Sequence, residues 1–260
     1  CACLVGSEMC IRDSLAVDNL AYNGAVLGDA ELESHWDVDE KMVAINADIV
    51  EDASSSAKVR GGVYVTRDSL SFDFYTNHTN IECLQPFMSG FTSRVKGRAS
   101  GHLKLYGTFS DVDLGGRVHA DTISLLVDQT NVVYSASDSV FFTPGRITIP
   151  SLTLYDKYGN HARLQGEVRH DFLHDASFRF DITDASRLLV FDTDASDNGV
   201  WYGRVFADGN AALRGAPGYV SLDGTLSSAP GSSFTFVLDE KETAVDYDFL
   251  TFTDRRKEEA

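Results

Sequence analysis

A period-two alternation of apolar and polar residues most constrains how this chain folds. In residues 70–75, Leu70, Phe72 and Phe74 alternate with polar or amphipathic neighbours. The pattern recurs in residues 102–106, 146–149, 151–154, 178–183 and 234–239. Such spacing puts the apolar side chains on one face of a strand, because successive side chains point to opposite faces. One-sided alternation is typical of antiparallel sheets, so the sequence predicts an all-β fold.

Glycines next to Asn, Asp or a second Gly supply turn signals between these runs. Such residues tolerate the positive φ that tight hairpins require. The signals lie at 22–24, 60–62, 114–116, 158–160, 207–210 and 222–224. Regular strands with short turns predict a long meander of roughly 15–18 strands of ordinary length.

One segment breaks the pattern. Residues 81–91 place apolar residues at helical spacing, from Ile81 and Leu84 to Phe91, and Pro86 can stand in a first helical turn. We predict a short helix near 81–91 that plugs one end of the sheet interior. Cys83 lies within it and is expected to be a buried structural thiol.

Charge and composition exclude several classes of protein. The chain has 22 basic and 39 acidic residues, for a net charge of −17. That balance argues against a protein that binds nucleic-acid phosphates and against a polybasic lipid anchor. The hydrophobic fraction of 43% is sufficient for a folded core.

The two ends look foreign to the rest of the chain. Residues 7–14 read SEMCIRDS, which resembles a peptide translated from sequencing-adapter DNA, so we predict that residues 1–14 are not native. Residues 253–260 form a polar tail. We expect the chain to be a fragment of a longer protein.

A search for catalytic and metal-binding motifs finds no strong candidate. Phosphate-binding glycine loops, zinc-protease motifs and nucleophile elbows are absent from the sequence. His170 and His174 are four residues apart, but they fall between two predicted strands rather than on a helix. The acidic run 192–199 has Asp197 where a calcium loop needs Gly and ends without its bidentate Glu. We therefore predict no catalytic residue, no metal site and no cofactor.

Periodicity alone leaves the role of the apolar face open. The apolar side chains could fill the core of an ordinary sandwich or barrel, or they could line an open trough that holds acyl chains. A carbohydrate-binding or adhesin-like protein would need an exposed aromatic platform, for which Trp36 and Trp201 are the only tryptophans.

Several segments, read in order, resemble one family. They are Leu20–Gly28, Leu84–Phe87, Lys96–Gly107, Asp113–Val118, Ser151–Asn160, Arg163–His170, Trp201–Gly209 and Phe249–Phe252. Together they resemble the C-terminal domain of TamB, the translocation and assembly module of the AsmA-like superfamily, most closely in its Bacteroidota forms. The stretch from Gly97 to Phe252 carries most of the likeness.

The resemblance implies a fold, a location and a function. Residues 15–252 would form an elongated, twisted antiparallel sheet curled into a taco-like groove with an apolar interior. The full-length protein would be anchored in the inner membrane and extend through the periplasm. It would conduct phospholipid between the inner and outer membranes, or serve as a non-conducting scaffold for outer-membrane protein assembly. Its partners would be phospholipid acyl chains and an Omp85-type barrel protein that is bound through a C-terminal part missing here.

The alternating runs supply the residues that we predict to line the groove. These are Leu103, Leu105, Ile147, Ile149, Leu152, Leu154, Phe178, Phe180, Ile182, Phe234, Phe236 and Leu238.

Overall fold

The computed structural model describes residues 12–88 and 92–237. One antiparallel sheet contains all fourteen described strands, and thirteen of them follow one another in chain order. The strands are β1 (Arg12–Tyr22), β2 (Ala25–Asp37), β3 (Met42–Val50), β4 (Ser56–Tyr64), β5 (Ser69–Asn80), β6 (Val95–Thr108), β7 (Val112–Val127), β8 (Val132–Thr143), β9 (Arg146–Tyr155), β10 (His161–Asp171), β11 (His174–Thr193), β12 (Trp201–Ala216), β13 (Tyr219–Ser228) and β14 (Ser233–Phe236). The predicted all-β, antiparallel class is confirmed.

The last two strands share one edge of the sheet. β13 pairs with residues 207–216 of β12, and β14 pairs with residues 201–204 of the same strand. The two strands therefore lie end to end, and no described strand pairs with their outer side.

Several strands are much longer than the usual five or six residues. β11 has 20 residues, and β7 and β12 have 16 each. The runs 146–149 and 151–154, which the sequence suggested as separate strands, are the two halves of β9. Pro150 lies between them and has no N–H to donate, and the β9–β10 ladder shifts register there.

Four of the six predicted turns are wrong, because their glycines lie inside strands. Gly61, Gly116, Gly209 and Gly224 belong to β4, β7, β12 and β13. At Gly61, with φ of 148°, a Cβ atom would come within 2.0 Å of the Ser71 carbonyl oxygen. These glycines permit close approach between neighbouring strands rather than a reversal of the chain. The signals at 22–24 and 158–160 are turns, as predicted.

Bulges keep the apolar residues of the long strands on one face. In β11, Ile182, Ala185 and Leu188 are three residues apart, and the pairing with β12 shifts register between them. Asp184 and Arg187 have positive φ, 53° and 48°, at these shifts. Each bulge inserts one residue, bends the strand and restores the face for the next apolar side chain.

The sheet is strongly curled. Strands β8 and β11 are three positions apart, which would separate them by about 14 Å in a flat sheet. They nevertheless touch directly, because the Tyr134 hydroxyl donates to the Leu189 carbonyl at 2.7 Å. Asn131, in the turn just before β8, also donates its side-chain amide to the Asp192 carbonyl of β11 at 2.9 Å. β2 and β5, also three positions apart, make contact as well.

A 3₁₀ helix over Glu82–Met88 confirms the predicted helical turn for the part of 81–91 that is described. Besides the adjacent β6, it contacts β2, which lies three strands away from β5. That it plugs an end of the sheet interior stays a prediction. Cys83 is half-buried rather than buried, and its burial raises the pKa of its thiol. No helix in the described ranges is long and apolar enough to cross a membrane.

The predictions for the two chain ends stay predictions. β1 begins at Arg12, within the 1–14 segment that we predict to be non-native. Residues 1–11 and the 253–260 tail lie outside the described residues.

Few large side chains are fully buried, because the described strands form a single sheet with no second layer over it. Among the described residues, the only apolar side chains that are less than 2% exposed are Leu189, Val132 and the small Ala162, and Leu189 and Val132 are the large ones. Leu189 and Val132 form a small cluster with Phe206 and Ala229 where β8 meets β11. Most other buried apolar residues are alanines on the sheet itself.

Candidate functional site

One register row of the sheet is apolar or glycine on all thirteen strands of the meander. Directly paired residues of an antiparallel sheet lie on the same face, so the pairings can be followed from β1 to β13. This apolar row consists of Leu15, Leu32, Ala47, Val59, Phe74, Leu103, Gly116, Phe142, Ile147, Val168, Phe178, Gly215 and Val220. At about 4.8 Å per strand, it runs for roughly 58 Å.

The next row of paired residues is shifted by one position along each strand, so it lies on the opposite face, and most of its residues are polar or charged. This polar row consists of Ala16, Glu31, Asp48, Lys58, Tyr75, His102, Arg117, Phe141, Thr148, Glu167, Arg179, Arg214 and Ser221. Opposite charges on this face pair across strands. For example, Arg60, in a neighbouring row, donates to both carboxylate oxygens of Asp48. The sheet therefore has one apolar face and one polar face.

The apolar face is less exposed than the polar face on the central strand β6. On β6, Leu103 and Leu105 are half-buried, whereas His102 and Lys104 on the other face are exposed. Within residues 12–88 and 92–237, no second sheet covers the apolar face, so we interpret the difference as curvature of the sheet towards that face. The outermost strands have fewer neighbours, and there the apolar row is more open: Leu15 is 57% exposed and Val220 is 65% exposed.

The structure brings together all the predicted lining residues that it describes. Leu103, Ile147 and Phe178 belong to the apolar row itself. Leu105, Ile149, Leu152, Leu154, Phe180 and Ile182 lie on the same face in neighbouring rows. Phe234 and Phe236 pair with Gly203 and Trp201, which counting by two along β12 places on the face of Gly215. Leu238 lies outside the described residues.

Sequence reasoning missed a large share of this face. A second row continues the apolar surface on the first strands through Trp36, Val43, Val63, Leu70, Gly107 and Val112, of which the alternating runs had included only Leu70. Phe142, Val168 and Leu213 also escaped notice. The sequence does carry a signal for them, because apolar and polar residues also alternate along β3, β4 and β12. Small residues and glycines make that alternation weaker there.

Phe178 and Phe180 owe their positions to glycines on adjacent strands. The Phe178 ring covers Gly215, where a Cβ atom would come within 2.3 Å of the ring. The Phe180 ring likewise covers Gly166, at 2.5 Å from a Cβ atom there. The two rings stack with centroids 5.5 Å apart. Together they form a continuous aromatic surface on the apolar face.

A second aromatic group ends the apolar face near the last edge. Phe191 and Trp201 stack with centroids 5.1 Å apart, and Phe234 lies 6.0 Å from Phe191. Trp36 stands on β2, ten strands from Trp201, or about 48 Å along the sheet. The two tryptophans therefore do not form one carbohydrate-stacking platform.

The sites considered for metal binding have other structural roles. The Asp194 carboxylate accepts the backbone N–H groups of Ser196 and Asp197 within its own turn. Asp192 is bridged by Lys157 and Arg204; burial opposes its ionisation, but these two hydrogen bonds hold its pKa below the usual value. Within residues 12–88 and 92–237, no three His, Cys, Asp or Glu side chains are grouped so that they could hold a metal ion.

The comparison with known families agrees with this geometry. Residues 150–260 match the family model of the TamB C-terminal domain. The match covers less than half of the chain, and over that part the chain is similar to the TamB C-terminal domain. The match begins in β9, whereas the likeness read from the sequence extends from Gly97. No curated protein and no solved structure matches the chain significantly.

The match to the TamB domain indicates which general role to consider for this chain. The family is a transport and assembly module of the cell envelope, concerned with outer-membrane assembly or lipid transport, and it is not known as a family of enzymes. Its members generally work with an Omp85-type partner.

Proposed function

We propose that this sheet is a segment of a periplasmic bridge that conducts phospholipid between the inner and outer membranes, with the acyl chains on its apolar face. The observation that carries the proposal is the apolar row, which crosses thirteen strands without one polar side chain. The residues that we propose as its lining are those predicted from the alternating runs, joined by Phe142, Val168 and Trp36.

The dimensions and energetics of the row suit a lipid chain. One acyl chain spans about half of a ~30 Å hydrocarbon core, so a row of roughly 58 Å is several times longer than a single chain. Burial stabilises each CH₂ group by about 0.8 kcal/mol. Because adjacent positions along the row offer similar apolar contacts, a chain can move along it without entering water. The head group would remain in solvent at the open mouth.

The part of the sheet before residue 150 supports treating residues 15–252 as one functional unit. The strands on both sides of this residue are hydrogen-bonded into the same sheet, and the apolar row passes through β9 without a break. We propose that the unit works in the periplasm, within a protein anchored in the inner membrane, and that an Omp85-type barrel is its outer-membrane partner.

Both tryptophans lie on the apolar face, which permits a direct binding test. Trp36 is on β2 and Trp201 is on β12. Phospholipid with brominated acyl chains should quench the fluorescence of both, as measured separately in the Trp36→Phe and Trp201→Phe variants. Quenching of neither residue would contradict the proposal.

A matched pair of substitutions on β6 tests conduction itself. Leu103→Glu puts a carboxylate into the apolar row, and we expect lipid binding and transfer between donor and acceptor vesicles to fall at least tenfold, because a charge in apolar surroundings costs more than ~1.4 kcal/mol. Lys104→Glu puts the same group one residue away on the polar face and should leave transfer unchanged, although it alters the net charge more. Equal effects of the two variants would refute the groove.

The scaffold alternative has one observation in its favour. The outer side of β13 has no described partner strand, and Val220 and Leu222 are more than 60% exposed there. An exposed strand edge can add a strand from another protein. Native mass spectrometry of chain purified from a bacterial periplasm separates the two functions: bound phospholipid at a reproducible stoichiometry supports conduction, and a lipid-free, folded chain supports the scaffold.

A further inference from the structure

Two pairs of arginines face each other directly across strands on the polar face. Arg146 of β9 pairs in register with Arg169 of β10. Arg179 of β11 pairs in register with Arg214 of β12. Like charges directly opposite each other destabilise a sheet, so each pair needs a compensating anion.

The first pair has its anion within the chain. The Glu167 carboxylate lies 3.4 Å from the Arg146 guanidinium and 2.7 Å from that of Arg169. One carboxylate thus bridges both arginines.

The second pair has no such bridge. Asp223 lies 3.4 Å from one terminal nitrogen of Arg214 and makes no ion pair with Arg179. The Nε atom of Arg214 is buried and has no hydrogen-bond partner. Within the described ranges, Arg179 has no carboxylate within 4 Å, and the carboxylate of Asp181, on the same strand face, pairs with neither arginine.

A crevice of about 280 Å³ lies beside this pair. Arg169, Arg179 and Arg214 line it, together with Ser177 and Tyr219. Three guanidinium groups and two hydroxyl-bearing side chains therefore border one space, with Glu167 as the only acidic residue in the lining. This is a cationic crevice in a chain whose net charge is −17.

We infer that Arg179 and Arg214 bind a phosphate-type oxyanion in this crevice. The anion would bridge them as Glu167 bridges the other pair. The planar guanidinium fork suits such a ligand, because two parallel N–H groups match two phosphate oxygens.

The position of the crevice connects it with the proposed function. The two arginines are next to members of the apolar row in the sequence. Phe178, which precedes Arg179, and Gly215, which follows Arg214, are those members. The crevice also adjoins the turn between β12 and β13, at the rim of the sheet. The oxyanion could be a lipid head-group phosphate, which would deepen the proposed function, or free phosphate.

Calorimetric titration of the full chain tests the inference with two probes. The probes are inorganic phosphate and dihexanoyl phosphatidylglycerol below its micellar concentration. Arg179→Ala and Arg214→Ala should each weaken binding about 10- to 100-fold, in line with the loss of a charge-assisted hydrogen-bond pair. Arg179→Lys keeps the charge but not the fork and should retain only part of the affinity. Arg163→Ala removes an arginine from the same face, paired with Asp184 instead, and should bind like the unmodified chain.

Thermal unfolding gives a second readout, in which Arg179→Ala should increase stability although it decreases binding. In phosphate-free buffer, Arg179→Ala should raise Tm because it removes a like-charge contact, and it should abolish the rise in Tm that phosphate causes in the unmodified chain. Equal affinities in all variants, or no saturable binding of either probe, would overturn the inference.

The two probes also separate the sources of the anion and the two proposals. Tighter binding of the lipid than of phosphate identifies a head-group site, whereas equal binding identifies a site for free phosphate. Leu103→Glu should leave phosphate binding intact. The oxyanion site can therefore exist even if the chain does not conduct lipid. The chain can likewise conduct lipid without the oxyanion site.

Discussion

The carboxylate of Asp156 ties the tip of the β9–β10 hairpin to β11, and its removal should strongly destabilise the protein. Asp156 is 5% exposed. It accepts the backbone N–H groups of Tyr158 and Asn160 at 2.8 and 3.0 Å and the Asn160 side-chain amide at 2.9 Å. It also accepts the buried N–H of Leu189, across the curl of the sheet, at 2.8 Å.

The size of the effect follows from these four hydrogen bonds. In Asp156→Ala, the buried N–H of Leu189 loses its acceptor, which costs about 1–3 kcal/mol. The three donors within the turn can be reached by water and should cost about 0.5–1.5 kcal/mol each. Relief from burying a charge offsets part of the sum, so we expect the free energy of unfolding to fall by about 3–5 kcal/mol.

Urea denaturation followed by far-ultraviolet circular dichroism measures this loss. Asp52→Ala is the control, because the Asp52 carboxylate accepts three bonds of similar length, from Ser54 and Ser55, in an exposed turn. The control should lose less stability, since two of its three donors belong to the exposed Ser54 and only the Ser55 residue is buried. If the two variants lost equal stability, the tie to Leu189 would not hold the curl, and our reasoning would be wrong.

Two further predictions concern the acid stability and the aromatic surface. Arg98 binds both carboxylate oxygens of Glu51, at 2.8 and 3.0 Å, and this lowers the pKa of Glu51 below its ordinary 4.5. The ion pair therefore stabilises the fold above that value, and this stabilisation is lost as pH falls through the folded-state pKa. Arg98→Gln should lower the stability at pH 7 but change it little at pH ~2, and thermal unfolding across that range measures the difference. Gly215→Ala should cost about 1–3 kcal/mol, because the new Cβ atom strikes the Phe178 ring. In a Phe178→Ala background the same change should cost almost nothing, and an unchanged cost in urea denaturation would exclude the ring as the cause.

Strand identity was predictable because alternation is a local signal. The runs in β5, β6, β9, β11 and β14 each show it over a few residues, and each is a strand in the structure. Strand ends were less predictable. A glycine beside Asn or Asp signals a turn locally, but Gly209 and Gly224 are inside strands because the neighbouring strand approaches them closely.

The candidate lining residues were predictable as a set, whereas the extent of the face was not. Phe178, Phe180 and Ile182 stand out because they are large. Gly116 and Gly215 complete the apolar row without any apolar side chain of their own. Their contribution depends on which residue faces them across the sheet, and that is a property of register.

The amino-acid sequence by itself determined that the chain forms strands with one apolar and one polar face, since side-chain alternation along a strand needs no partner. Only the tertiary structure decided that thirteen strands align in one register, that Tyr134 and Asp156 reach Leu189 from β8 and the β9–β10 hairpin, and that no second layer among the described residues covers the apolar face. It also decided that Arg179 and Arg214 stand opposite each other, although 35 positions separate them in the chain. Strand pairing brings together residues far apart in sequence, and no local pattern encodes which of them will meet.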